Sequence, residues 1–211
     1  LLEELKIYKK ISNPEYGIAN MKITTCKDQK ILVMDLLGPS LETILKRKKK
    51  LKIHSIVYIA IELLKVMKYI HSCGYLHRDL KADNFVIGYE NKKKLYCIDF
   101  GLSKKYIDKS GNHIQYKTDK KFIGTARYAS IASHCLQEQG RKDDLESLGY
   151  LFVYLFNGKL PWQNIKEDDK QKKHKAISEA KINITEEILC KNMPNEFCVY
   201  LKYVRNMDFD E

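Results

Sequence analysis

The sequence predicts an α+β fold of two unequal lobes, a small one over residues 1–37 and a larger, mainly helical one over 38–211. Three observations predict it. An amphipathic stretch followed by two strand-like runs reads as a helix beside a β-hairpin. Two later segments, 53–72 and 143–157, are apolar on most faces and belong inside a core. Between them, short strand-like runs bracket a loop dense in charge, "YLHRDLKADNF" at 75–85, which desolvation forbids burying unless solvent or a ligand uses it.

In chain order, Leu1, Leu2, Leu5, Tyr8 and Ile11 recur at helical intervals, so a helix is expected over 1–12, ended by "SNPEYG". "NMKITTC" and "KILVMDL" flank the turn "KDQ" as a hairpin, and "GPS" is expected to stop its second strand. A short helix at 41–48 and a long one at 53–72 follow. Past the charged loop, "FVIG" and "KLYCIDF" are short strands joined by "YENKK". Residues 101–142 show little periodicity, and a stretch of that length in a domain is usually functional or mobile rather than filler. Further helices are expected at 143–157, 174–181, 185–191 and 194–206.

Lys and Arg number 38 against 27 Asp and Glu, and the resulting net charge of +11 argues for an anionic partner. The densest basic tract, "KRKKKLK" at 46–52, fits a nuclear-localisation or nucleic-acid patch, but a solvated loop between helices explains it more simply. No aromatic residues interleave with it for base stacking, which argues against nucleic acid as the partner. Six cysteines form no C-x-x-C pair, and several sit in apolar runs. They read as reduced core thiols of a cytoplasmic or nuclear protein, not as zinc ligands or disulfides. No apolar run reaches the roughly 18 residues of a transmembrane segment.

Within the charged loop, Asp79 and Asn84 lie five apart, and Asp99 follows twenty after Asp79, directly behind a strand. Transfer of a phosphoryl group needs Mg²⁺ held by oxygen ligands and a carboxylate to receive the attacking hydroxyl's proton. The register H-R-D-L-x-x-x-N followed by D-F-G is that of the protein-kinase catalytic loop and metal-binding turn. Taken with "LLGPSLE" (36–42), "HRDLKADNF", "IDFGLSKKY", "GTARYASI" (124–131), "RKDDLESLGY" (141–150) and "LPWQNIK" (160–166), the sequence resembles the casein kinase I family of Ser/Thr protein kinases, in order from about residue 3 to 211.

That resemblance implies a protein-kinase-like two-lobed fold and a monomeric enzyme moving the γ-phosphate of ATP, with Mg²⁺, to Ser or Thr of acidic or phosphorylated protein substrates. It implies that Asp79 takes the hydroxyl proton, that Lys81 steadies the γ-phosphate, and that Asn84 and Asp99 hold Mg²⁺. Thr125 matches the threonine that bridges Asp79 and Lys81. His77 is implied to make backbone hydrogen bonds rather than act as a base, and Asp144 to hold the loop's main chain. Main-chain groups of Asp35 and Leu37 would meet the adenine edge, with Met34 behind, Val86 as floor and Ile98 alongside, although "ILVMDLL" by itself is equally a buried strand. Arg127 matches the arginine of the family's anion pocket, with Gly158, Lys166 and Lys170 near its walls. With Glu167, Asp168 and Asp169 among them, the lysines from 166 to 173 read equally well as a solvated face.

The chain departs from the family in places. "ASIAS" at 129–133 puts Ala132 where an asparagine is usual, removing a polar side chain expected to order the segment. Ala82 replaces a proline, a milder change. "EELKIYK" resembles the helix whose glutamate pairs with a strand lysine, which makes Glu4 that glutamate. The Gly-rich loop and that lysine have no counterpart within residues 1–211, nor do the helices that usually follow "DFDE", so the small lobe is incomplete and the chain looks cut from a longer one. By itself it is expected to bind ATP poorly and to be weakly active or inactive. Two alternatives stay open: a noncatalytic scaffold derived from a kinase, and a binder of nucleic acid or acidic membranes. The intact set Asp79, Lys81, Asn84 and Asp99 argues against the scaffold, because nothing structural requires all four.

Overall fold

The computed structural model describes residues 2–26 and 29–211. Helix α1 (Leu2–Ile11) buries Leu5, Tyr8 and Ile11 and leaves its lysines in solvent. A 3-10 turn at Pro14–Tyr16 follows, capped by the Asn13 side chain accepting from the Glu15 amide at 3.1 Å. Strands β1 (Met21–Cys26) and β2 (Gln29–Met34) pair antiparallel with Met21 opposite Met34. The turn expected at 27–29 lies partly at 27–28, outside the described residues.

One expectation fails here. "GPS" does not stop a strand: β2 ends at Met34, and the chain resumes as β3 (Leu37–Ser40), which contains Pro39. That proline is tolerated because β3 is the edge of a three-stranded sheet, ordered β3, β5 (Phe85–Gly88), β6 (Leu95–Cys97), and its register shifts between Leu37 and Ser40.

The larger body is built on helices. Ser40 caps α2 (Leu41–Lys48) by accepting from the Thr43 amide at 3.2 Å. In α3 (Ile53–Ser72), Ile56, Ile59, Leu63, Val66, Met67 and Ile70 share one buried face. Helix α5 (Arg141–Asn157) is buried almost all round from Asp143 to Leu155, and α8 (Asn195–Asn206) packs Leu201 and Val204 inward. One hydrophobic cluster joins these helices to Tyr8, Ile18 and Phe100. Each fully buried side chain of this size contributes about 1.5–3 kcal/mol.

The stretch 101–142 holds more order than its pattern suggests. Strand β7 (Lys104–Lys105) pairs with β4 (Tyr75–Leu76), and α4 (Ile131–His134) is capped by Ser130. Helix α6 (Lys170–Asn183) starts before the expected 174 because Asp169 accepts from the Lys172 amide at 2.7 Å, and α7 (Glu186–Leu189) is short. Cys97, Cys190 and Cys198 are buried free thiols. Among the described residues, no helix is long and apolar enough to cross a membrane.

Asp143 closes the start of α5 by accepting from the Gly140 amide at 2.7 Å, and burial pushes its carboxyl up to about 7. A folded-state value above the ordinary one means that its stabilising contribution is fully present below about pH 4 and is lost as pH rises through about 7. Asp143→Asn keeps an acceptor for that amide. The stability of the parent relative to this variant should therefore fall by up to about 1.4 kcal/mol per pH unit between about pH 4 and 7, read from urea midpoints.

Candidate active site

Asp79 sits buried on the loop between β4 and β5, and both of its carboxylate oxygens are engaged. Lys81 Nζ lies 2.7 Å from Oδ2, and the Thr125 hydroxyl donates to Oδ1 at 2.7 Å. Lys81 Nζ is also 4.0 Å from Asp99 Oδ2, so one ammonium spans the two carboxylates. Burial pulls the Lys81 ammonium down, but the hydrogen bond and charge of Asp79, then the charge of Asp99, outweigh it and raise it above its ordinary value. It is a cation at neutral pH. Thr125 thus reaches Asp79 alone: the bridge to Lys81 runs through the carboxylate that both share.

The backbone here is forced. Arg78 and Asp99 both carry φ of 67°, a left-handed conformation that costs a non-glycine residue about 1–3 kcal/mol. Asp144, buried at the start of α5, offsets that cost at Arg78. Its Oδ2 accepts from the His77 amide at 2.8 Å and its Oδ1 from the Arg78 amide at 2.8 Å, while His71 Nε2 lies 2.9 Å from Oδ2. Burial raises the Asp144 carboxyl, but the His71 hydrogen bond and charge, with His77 beyond them, hold it below its ordinary value.

His77 is fully buried, which keeps its imidazole below its ordinary value and neutral. Its Nδ1 accepts from the Asp79 amide at 3.3 Å, so the proton resides on Nε2 and points to the Ile98 carbonyl at 3.2 Å. This imidazole ties the catalytic loop to β6 and has no free nitrogen for base chemistry.

Helix α1 reaches the same turn. The Tyr8 hydroxyl accepts from the Asp99 amide at 3.2 Å, and its ring meets Phe100 edge to face at 5.0 Å. Glu4, one helical turn earlier, faces Asp99 and the Phe100 backbone, and burial followed by the Asp99 charge raises its carboxyl. Gly124 lies against the catalytic loop from the other side with φ of 106°, and a Cβ there would come within 2.7 Å of the Arg78 carbonyl.

Asn84 is buried on the turn Ala82–Asn84, and its Nδ2 donates to the Asp79 carbonyl at 3.0 Å, so Oδ1 is the side-chain atom that could serve as a ligand. The Asp99 side chain is 49% exposed. Asp79 and Asp99 therefore meet through the Lys81 ammonium, and Asn84 is tied to the same loop through the Asp79 carbonyl. A family model for the protein kinase domain matches residues 1–203. The chain belongs to the protein kinase family.

In this kinase, Asn84 and Asp99 present hard oxygen donors on adjacent turns, the donor type that would suit Mg²⁺. Among the described residues no three His, Cys, Asp or Glu cluster into an all-protein cage. Val86 is buried in the middle of β5, and Ile98 is half-buried just before Asp99. Met34 closes β2, and Asp35 leads into β3, where Leu37 pairs with Gly88. The Asp35 carboxylate accepts from the backbone and side-chain amides of Asn20 at 3.1 and 2.9 Å, and its own amide donates to the Asn20 carbonyl at 3.2 Å.

The four anion-site candidates come from different elements of the kinase. Arg127 lies over the Tyr128 and Tyr154 rings, 5.6 and 5.1 Å from their centroids. Gly158 ends α5 in a left-handed turn, where a Cβ would meet the Lys49 carbonyl at 2.6 Å. Lys166 is exposed ahead of α6. Lys170 opens α6 onto a groove of about 740 Å³ lined with Lys120, Lys121, Phe122 and His174, a lining without Arg127 or Gly158. The start of α6 thus lies beside 120–122, and only tertiary packing decides that.

Sequence reasoning missed Glu138, a buried carboxylate between Lys104 and Lys120 at 2.8 and 3.2 Å. Burial pushes it up, but hydrogen bonds from both lysines hold it below its ordinary value. It joins β7 to the segment behind Thr125. It also missed Lys181. Neither position stands out in sequence, since each is one charge among many.

Proposed function

We propose that this chain is the catalytic region of a casein-kinase-I-type Ser/Thr protein kinase, with residues 1–37 as part of its small lobe and 38–211 as its large lobe. The observation that carries the reading is Lys81 Nζ, held 2.7 Å from Asp79 and 4.0 Å from Asp99. Asp79 receives the proton of the attacking hydroxyl, and Thr125 fixes which carboxylate oxygen remains oriented toward Lys81. Lys81 places a positive charge where the γ-phosphate of ATP carries developing negative charge. Asn84 and Asp99 would hold Mg²⁺, which when bound would neutralise charge on the phosphates. Main-chain groups of Asp35 and Leu37, with Met34, Val86 and Ile98, make the adenine seat, and Glu4 borders it through Asp99.

The substrates proposed are acidic or phosphorylated proteins, in keeping with the net charge of +11 and the Arg127 guanidinium. Reduced thiols support a cytoplasmic or nuclear setting. The test compares transfer from ATP·Mg²⁺ to acidic Ser, acidic Tyr and basic Ser peptides, in the parent and in Arg127→Gln. The reading expects acidic Ser peptides to be preferred and Arg127→Gln to raise their KM about tenfold with KM for ATP unchanged. Equal use of Tyr and basic peptides would sink it. Absence of ATP binding in protein carrying this chain would favour the noncatalytic scaffold.

A further inference from the structure

Lys181 is fully buried in α6. Nζ donates to the Ala129 carbonyl at 2.5 Å and to the Ala126 carbonyl at 2.9 Å, and it lies 3.2 Å from His134 Nε2. It also sits over the rings of Tyr150 and Trp162, at 4.9 and 5.0 Å. Trp162 Nε1 donates to the carbonyl between those two, Arg127, at 2.8 Å, and Glu146 accepts from the Ile131 amide at 3.2 Å. Side chains from three separate elements thus hold the main chain of 126–131. The Arg205 guanidinium, on α8, fixes α6 in turn by donating to the Lys181 carbonyl at 3.2 Å and to Glu186 at 2.6 Å.

The clamped stretch is the other half of the turn that begins at Thr125, whose carbonyl accepts from the Tyr128 and Ala129 amides at 2.9 Å each. Thr125 in turn holds Asp79 at 2.7 Å. We propose that Lys181 is a positioning residue: by drawing the Ala126 and Ala129 carbonyls toward α6, it fixes the turn that aims the Thr125 hydroxyl at Asp79. This answers the loss of a polar side chain at Ala132, because the order expected from that side chain comes from α6 instead. Burial pulls the Lys181 ammonium down to about 7, with the Glu146 charge opposing the fall and the Arg205 charge adding to it.

The effect on turnover rests on the kinase reading; the effect on the turn does not. In the parent protein, nitrogen-15 spectroscopy of the lysine ammonium should show scalar couplings from Lys181 Nζ to the carbonyl carbons of Ala126 and Ala129, and their absence would overturn the clamp. Lys181→Met keeps the aliphatic stem and removes the charge. It should speed hydrogen exchange at the Tyr128 and Ala129 amides about tenfold or more and shift the Asp79 carboxyl carbon resonance, with α3 amides unchanged. With an acidic peptide, kcat should fall about tenfold while KM for ATP stays within about twofold. Exchange that is unchanged at 128–129, or faster by the same factor throughout α3, α5 and α8, would show ordinary core support and overturn the proposal. A protein that carries this chain together with a Gly-rich loop and strand lysine and transfers no phosphate would sink the functional reading alone, and the exchange and coupling data would then decide the clamp.

Discussion

Asp79→Asn should lower phosphoryl transfer about a thousandfold while leaving the thermal midpoint nearly unchanged. The amide keeps the side chain's shape and can still accept from Thr125, so the loop's packing survives. It cannot take a proton, and its NH₂ group would face Lys81 Nζ, now 2.7 Å from the Oδ2 position, donor against donor. Both the base and the placement of the ammonium are lost together. The check is kcat with ATP·Mg²⁺ and an acidic peptide, in protein carrying this chain with the upstream Gly-rich loop and strand lysine restored, beside a thermal melt. A variant retaining more than about a third of parental kcat would remove Asp79 from the chemistry.

Asp144→Ala should be the most damaging substitution for stability, about 3–5 kcal/mol, or roughly 10 °C in melting temperature for a chain of this size. It strips the acceptor from the His77 and Arg78 amides and from His71, and leaves Arg78 in its left-handed conformation without compensation. The carboxyl is held below its ordinary value in the fold, so its contribution is present above about pH 4 and is lost as pH falls through the folded value. Urea midpoints of parent and variant should therefore converge at acid pH. Equal midpoints at neutral pH would mean that the catalytic loop holds its shape without this residue.

Much of this was legible in the residues. The buried faces of α3 and α5 are written in apolar spacing, and the set Asp79, Lys81, Asn84, Asp99 is written in its register. What local pattern cannot carry is pairing between distant short pieces. Tyr75–Leu76 against Lys104–Lys105 is too short to alternate visibly, so 101–142 read as irregular. Pro39 read as a stop because an edge strand cannot be told from a turn without its neighbours. Lys170 falls outside the expected helix at 174–181 because the Asp169 side chain makes the earlier start, and only packing sets that start beside Lys120. Lys181, among the many lysines of α6, gives no sign that it alone is enclosed.

The three hydrogen bonds between Asn20 and Asp35 have a mechanical meaning. They staple the end of the hairpin to its own beginning, so the backbone cannot bend at Asp35 without breaking them. The next residue, Leu36, is 72% exposed and lies between that staple and the first residue of β3. The link from the hairpin into β3 therefore turns most readily at Leu36, and a proline there would stiffen that link.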